Sequence, residues 1–166
     1  AVAATCSDVV QIMTQVNQLL VQDLTEGQFV TLFLARLDPA NRGLTYASAG
    51  HNPPFLFTRD ADNTIRKQAL ERTGIPVGVL PGHKWGRGSI HVNRGDVLVL
   101  YTDGVVDVLN GAGVDFGQER LEAVLYGNRR KSAQKIVDAV LAALQQYAGS
   151  VPLFDDVTLI VVKRIA

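Results

Sequence analysis

The sequence predicts an α+β fold of mostly antiparallel sheet. Three observations carry that reading. Apolar runs rich in β-branched and aromatic residues are separated by strong turn chemistry. Helical spacing is confined to the beginning and the last third of the chain. Several strand candidates are apolar throughout, as expected of two packed sheets with helices outside them.

In order along the chain, Val9, Ile12, Met13, Val16, Leu19 and Leu20 recur at three- and four-residue steps and predict a helix. Ser7 is its expected N-cap and Gly27 its stop signal. Residues 29–37 are nearly all apolar and read as a strand covered on both faces. Asp38-Pro39-Ala40-Asn41-Arg42-Gly43 is a turn, and residues 44–49 return as the partner strand. Further strands are expected over 54–58, 65–70, 89–92, 97–101 and 157–163. A short helix is expected over 118–125. A longer one over 132–147 carries Ile136, Val137, Val140, Leu141 and Leu144 on one face, with Gly149 just past its end.

No repeat or linker divides the 166 residues, a length suited to one domain. Sixteen basic residues balance sixteen acidic ones. That balance removes the broad electrostatic case for nucleic acid or an anionic membrane as partner. The lone Cys6 excludes an intrachain disulfide framework and a Cys-based zinc site, and fits a reducing, cytoplasmic setting. No run of about 18 apolar residues predicts a membrane-spanning helix. The start, Ala1-Val2-Ala3-Ala4, is neither a signal peptide nor an initiator Met, so the chain is expected to begin inside a longer gene product.

Chemistry concentrates in two acidic turns. Gly95-Asp96-Val97-Leu98-Val99-Leu100-Tyr101 ends in Thr102-Asp103-Gly104, which leaves a carboxylate at a sheet end where glycine lets the backbone turn. Asp107, four residues on, reaches the same space if the segment curls. The second turn, Phe154-Asp155-Asp156-Val157-Thr158, places two adjacent carboxylates before the last strand. Such carboxylates repel unless a cation lies between them, and oxygen-only ligands suit Mg²⁺ or Mn²⁺ better than zinc. The plainer alternative is a pair of solvated turns.

Other routes to catalysis are weaker. His51 and His83 pair with no nucleophile and read as loop or surface histidines. Cys6 lacks the arginine-bearing phosphate cradle of a cysteine phosphatase, and no G-x-x-x-x-G-K-[ST] or G-x-S-x-G pattern occurs. Arg129-Arg130-Lys131 reads as a solvated helix boundary, with a phosphate or partner contact as the alternative. Trp85 serves either packing or recognition.

The succession Phe29-Val30-Thr31-Leu32-Phe33, Ala49-Gly50-His51-Asn52-Pro53-Pro54, Gly74-Ile75-Pro76-Val77-Gly78-Val79, Gly95-Asp96 through Tyr101-Thr102-Asp103-Gly104-Val105, Phe116-Gly117 and Asp155-Asp156-Val157-Thr158-Leu159 resembles the bacterial stage II sporulation protein E-type phosphatases. These form a branch of the metal-dependent protein phosphatase 2C-like superfamily. The resemblance runs from about Ser7 to Lys163.

The resemblance implies a four-layer α-β-β-α sandwich with a two-metal site. The implied reaction is hydrolysis of phosphoserine or phosphothreonine by water activated by Mn²⁺ or Mg²⁺, with no phosphoenzyme. It places metal ligation at Asp103, Gly104 and Asp155, and a weaker further metal at Asp107. Asp156 and Thr102 support those ligands, while His51 and Asn52 shape a loop. The implied partner is a phosphorylated anti-sigma-factor antagonist, under the control of an upstream sensor domain. The early G-D and D-x-x-G-H-G motifs of such proteins, the second supplying the metal-bridging Asp, have no match here. The 166 residues are thus expected to be the C-terminal two-thirds to three-quarters of one phosphatase domain. The alternative is a non-catalytic regulatory or binding module with the same fold and a lost metal centre.

Overall fold

A computed structural model describes residues 8–59, 62 and 64–165. The predicted Ser7 cap and Cys6 lie outside the described residues. Two antiparallel sheets and their helices form two compact units, Ala1–Pro53 with Leu70–Val92 and Pro54–Ala69 with Asn93–Ala166.

In the first unit, helix α1 (Val9–Asp23) precedes strands β1 (Leu32–Asp38), β2 (Gly43–Ala49) and β5 (Gly88–His91), ordered β1-β2-β5. Asp8 caps α1, its carboxylate accepting the Val10 and Gln11 amides at 2.9 and 3.1 Å and pairing with Arg87. Val9 and Met13 of α1 pack against Ala47 and Ala49 of β2, with Val77 and Trp85 closing the cluster. The β1–β2 turn follows its sequence. The Asp38 carboxylate takes the Ala40 and Asn41 amides at 3.1 and 3.2 Å, and Arg42 holds a left-handed φ of 56°.

The strand expected over 29–37 starts at Leu32 and is not covered on both faces. Its residues are half-buried or exposed, and Phe29 is 58% exposed. The reason is position: β1 pairs only with β2 and stands at a sheet edge. Trp85 resolves to packing; it is buried, and its indole N–H donates to the Ile75 carbonyl at 2.8 Å.

The second unit orders β4 (Ile65–Ala69), β3 (Phe55–Arg59), β6 (Val97–Tyr101) and β7 (Leu159–Lys163) as β4-β3-β6-β7. Helices α2 (Asp103–Val106), α3 (Gly117–Asn128) and α4 (Ala133–Ala148) accompany it. Phe55, Phe57, Val97, Val99 and Tyr101 meet Leu121, Leu125, Ile136, Val140 and Leu144 in one core. Each such fully buried large side chain contributes about 1.5–3 kcal/mol. Leu56 and Leu98, on the opposite face of the same strands, are also buried, as the uniformly apolar sequence predicted.

Ser132 caps α4, and Gly149 ends it at φ 60°. Leu141, expected on the buried face, is 41% exposed because the buried stripe runs through Ile136, Val140, Leu144 and Ala148. The helix expected over 118–125 extends to Asn128. No helix among the described residues is long and apolar enough to cross a membrane.

Candidate metal centre

β6 and β7 are hydrogen-bonded neighbours with Tyr101 opposite Leu159. The residues after Tyr101 and those before Leu159 therefore emerge at the same sheet end. The antiparallel register brings the two acidic turns together, although more than fifty residues separate them in sequence.

Thr102 is the joint between them. Its amide donates to the Thr158 carbonyl at 3.1 Å, and the Thr158 amide donates to the Thr102 hydroxyl oxygen, also at 3.1 Å. The Thr102 hydroxyl in turn donates to the Asp156 carbonyl at 3.4 Å. Thr102 occupies the N-cap position of α2 yet makes no side-chain cap bond there. This exchange also explains why β7 begins at Leu159 instead of residue 157: the Thr158 amide is given to a side chain and not to the strand ladder. Gly104 completes the junction, since a Cβ at that position would stand 2.3 Å from the Asp156 carbonyl oxygen.

The curl of the T-D-G segment is a single turn of helix. The Asp107 amide donates to the Asp103 carbonyl at 2.9 Å, so the two aspartates are four residues apart on one helical face. Asp103 accepts the Gly104 amide at 3.1 Å, and Asp155 accepts the Asp156 amide at 2.7 Å. All four carboxylates, Asp103, Asp107, Asp155 and Asp156, are exposed. None has an ion-pair partner among the described residues.

The donors are hard carboxylate oxygens on braced turns, which suits Mg²⁺ or Mn²⁺ in kind. Their number is short. No group of three or more His, Cys, Asp or Glu side chains among the described residues stands close enough to hold a metal ion.

His51 and Asn52 belong to the other compact unit. Gly50 takes φ 68°, and a Cβ there would meet the Pro76 ring at 2.5 Å. The His51 carbonyl accepts the Arg72 Nε–H at 3.1 Å, and its ring lies 6.3 Å from that of Phe33. Sequence reasoning missed the bracing role of Thr158 and of the Asp156 carbonyl. The adjoining threonine was visible, but the bond partner fifty-six residues away was not.

The profile of the Stage II sporulation protein E (SpoIIE) family matches residues 1–165. The chain belongs to that family. Among its relatives, the phosphoserine phosphatase RsbU of Bacillus subtilis is 31% identical over 157 residues, covering 93% of this chain and 44% of RsbU. Protein IcfG of Synechocystis is 33% identical over 138 residues, covering 83% of this chain and 21% of IcfG. The chain spans less than half the length of either relative. The SiaA-PP2C domain of Pseudomonas aeruginosa superposes with a TM-score of 0.75 at 24% identity, over 94% of this chain and 60% of that one. The SpoIIE-family chain therefore has the PP2C fold, and its two antiparallel sheets with helices are the α+β class that its sequence predicts.

Proposed function

We propose that this chain is part of a metal-dependent protein serine/threonine phosphatase. The observation that carries the reading is the junction of the Asp103 and Asp155 turns, held by Thr102, Thr158 and Gly104 at one end of the β6–β7 pair. RsbU, similar over nearly the whole chain, is named a phosphoserine phosphatase and supports the same substrate class.

In this reading Asp103, Gly104 and Asp155 ligate the metal, the missing Cβ of Gly104 also letting the two turns approach closely, and Asp107 serves a further, weaker site. Asp156 and Thr102 support them, and the remaining donors come from outside the described residues. Bound Mn²⁺ or Mg²⁺ would lower the pKa of a nucleophilic water and offset phosphoryl charge. This chain's own contribution is to hold carboxylates of two distant segments at fixed positions through backbone bonds. The proposed substrate is a phosphorylated anti-sigma-factor antagonist, with an upstream sensor domain as regulator and the cytoplasm as the compartment.

The test is Mn²⁺-dependent hydrolysis of a phosphoserine protein by the full-length gene product, with metal binding followed in parallel. Asp103→Asn and Asp155→Asn should each lower turnover by about a hundredfold or more and weaken Mn²⁺ binding. Undiminished hydrolysis in both variants would overturn the site assignment. The short donor set favours a second reading, a metal-free binding module. It is supported if the full-length protein neither binds Mn²⁺ nor hydrolyses phosphoserine.

A further inference from the structure

The opposite end of the same sheet carries a cavity of about 410 Å³ within the second unit. That volume lies in the range of small-ligand sites. Five of its lining residues are cations: Arg59, Arg94, Arg129, Arg130 and Lys163. No carboxylate lines it among the described residues. Phe57 and Val97 form part of the wall, so low-dielectric surface backs the charges and strengthens their field.

The site is built, not merely charged. The Lys163 ammonium donates to the carbonyls of Arg129 and Lys131 at 2.9 and 2.6 Å. This neutralises the carbonyl-rich end of α3, which would otherwise repel an anion, and fixes the 129–131 segment at the cavity. Arg129 lies over the Tyr126 ring with its guanidinium carbon 3.9 Å from the centroid. Its Nε is shielded from solvent and has no acceptor among the described residues. The same guanidinium donates through Nη1 to the Tyr126 carbonyl, so it is the Nε donor alone that is costly to bury without an acceptor, and a bound anion is its natural partner.

Asp96, two residues from Arg94, does not fill that role. The Asp96 carboxylate accepts the Asn93 amide at 2.7 Å and a backbone bond from Arg59, and is not part of the lining.

We propose that this cavity is an anion site for a small phosphorylated ligand, separate from the acidic turns. Val97 and Lys163 lie at the cavity, whereas Tyr101 and Leu159 lead into the acidic turns. Four strand steps separate the two ends, roughly 13 Å. Arginine forks match phosphate oxygens in pairs, and Arg94 and Arg130, exposed like Arg59, are cations that a ligand would engage on entry.

The experiment is calorimetric titration with inorganic pyrophosphate in EDTA at fixed ionic strength, so the outcome is independent of any metal centre. Saturable binding is expected, weakened at least about tenfold in the Arg94→Ala/Arg130→Ala double variant. Arg94→Lys/Arg130→Lys should lose less, while Lys84→Ala and Asp103→Asn should bind as the parent does. Absence of saturable binding at millimolar pyrophosphate overturns the proposal. So does equal weakening by Lys84→Ala, which would mark a diffuse charge effect. Binding of a phosphoserine peptide through Arg94 and Arg130 without pyrophosphate binding would overturn the small-ligand assignment in favour of a protein partner.

Discussion

Gly104 lies so close to Asp156 that a Cβ on the glycine would stand 2.3 Å from the aspartate's carbonyl oxygen. The contact is to backbone, which cannot swing aside as a side chain could. It joins the two acidic turns where the candidate metal ligands sit, so it couples a packing constraint to the chemistry.

Gly104→Ala should therefore destabilise the fold by about 1–3 kcal/mol and separate the Asp103 and Asp155 turns. Denaturant midpoints compared with Gly111→Ala provide the check, because an added Cβ at Gly111 has open space. Equal midpoints for the two variants would show that the junction is soft.

Thr102 makes a different kind of link, through hydrogen bonds. Thr102→Val removes the acceptor of the Thr158 amide and the donor to the Asp156 carbonyl. With solvent able to reach both groups, the expected loss is about 0.5–1.5 kcal/mol. Mn²⁺ affinity of the full-length protein should fall with it. Thr102→Ser keeps the hydroxyl and should restore both quantities; failure of serine to do so would place the effect in the lost methyl.

What the sequence showed and what it hid divide along sequence separation. Asp38 with its turn, Gly149 past α4 and the apolar runs of β3 and β6 are local signals, and the structure follows them. Residues 29–37 read as a strand covered on both faces because apolar composition does not say whether a strand is central or at an edge; β1 lies at an edge. The aspartates were visible as turns, but their meeting depends on the β6–β7 register and on bonds between Thr102 and Thr158. The basic cavity was harder still. Arg59, Arg94, Arg130 and Lys163 come from separated segments, and only the 129–131 run raised a phosphate contact as an alternative.

Asp96 supplies a pH test. It is 2% exposed, and burial, the largest influence, raises its pKa above 3.8 against the lowering pull of the Asn93 and Arg59 amides and of Arg164. The folded state then binds this proton more tightly than the unfolded chain. Its contribution is fully present below pH 3.8 and is lost as pH rises through the elevated folded value. Asp96→Asn removes that loss, so its stability relative to the parent should improve as pH is raised through this window. Urea midpoints measured across acid and neutral pH check it, and a difference independent of pH would show that Asp96 is solvated in the fold.

Asn17 provides the last prediction, in the first unit. It is a 1%-exposed polar residue on the buried face of α1. Its side-chain carbonyl accepts the Gly78 amide at 2.8 Å and its amide donates to the Leu80 carbonyl at 3.0 Å. One side chain thus satisfies both polarities of a loop sixty residues away. Asn17→Ala leaves both groups without their partner and should cost about 1–3 kcal/mol, with faster hydrogen exchange at the Gly78 amide. Asn17→Asp keeps an acceptor for Gly78 but sets a carboxylate against the Leu80 carbonyl. That variant should be weakest at neutral pH and recover in acid, where a protonated oxygen can donate to Leu80 again. If Asn17→Ala and Asn17→Asp respond identically to pH, the Leu80 bond contributes nothing and the Gly78 bond alone holds the loop.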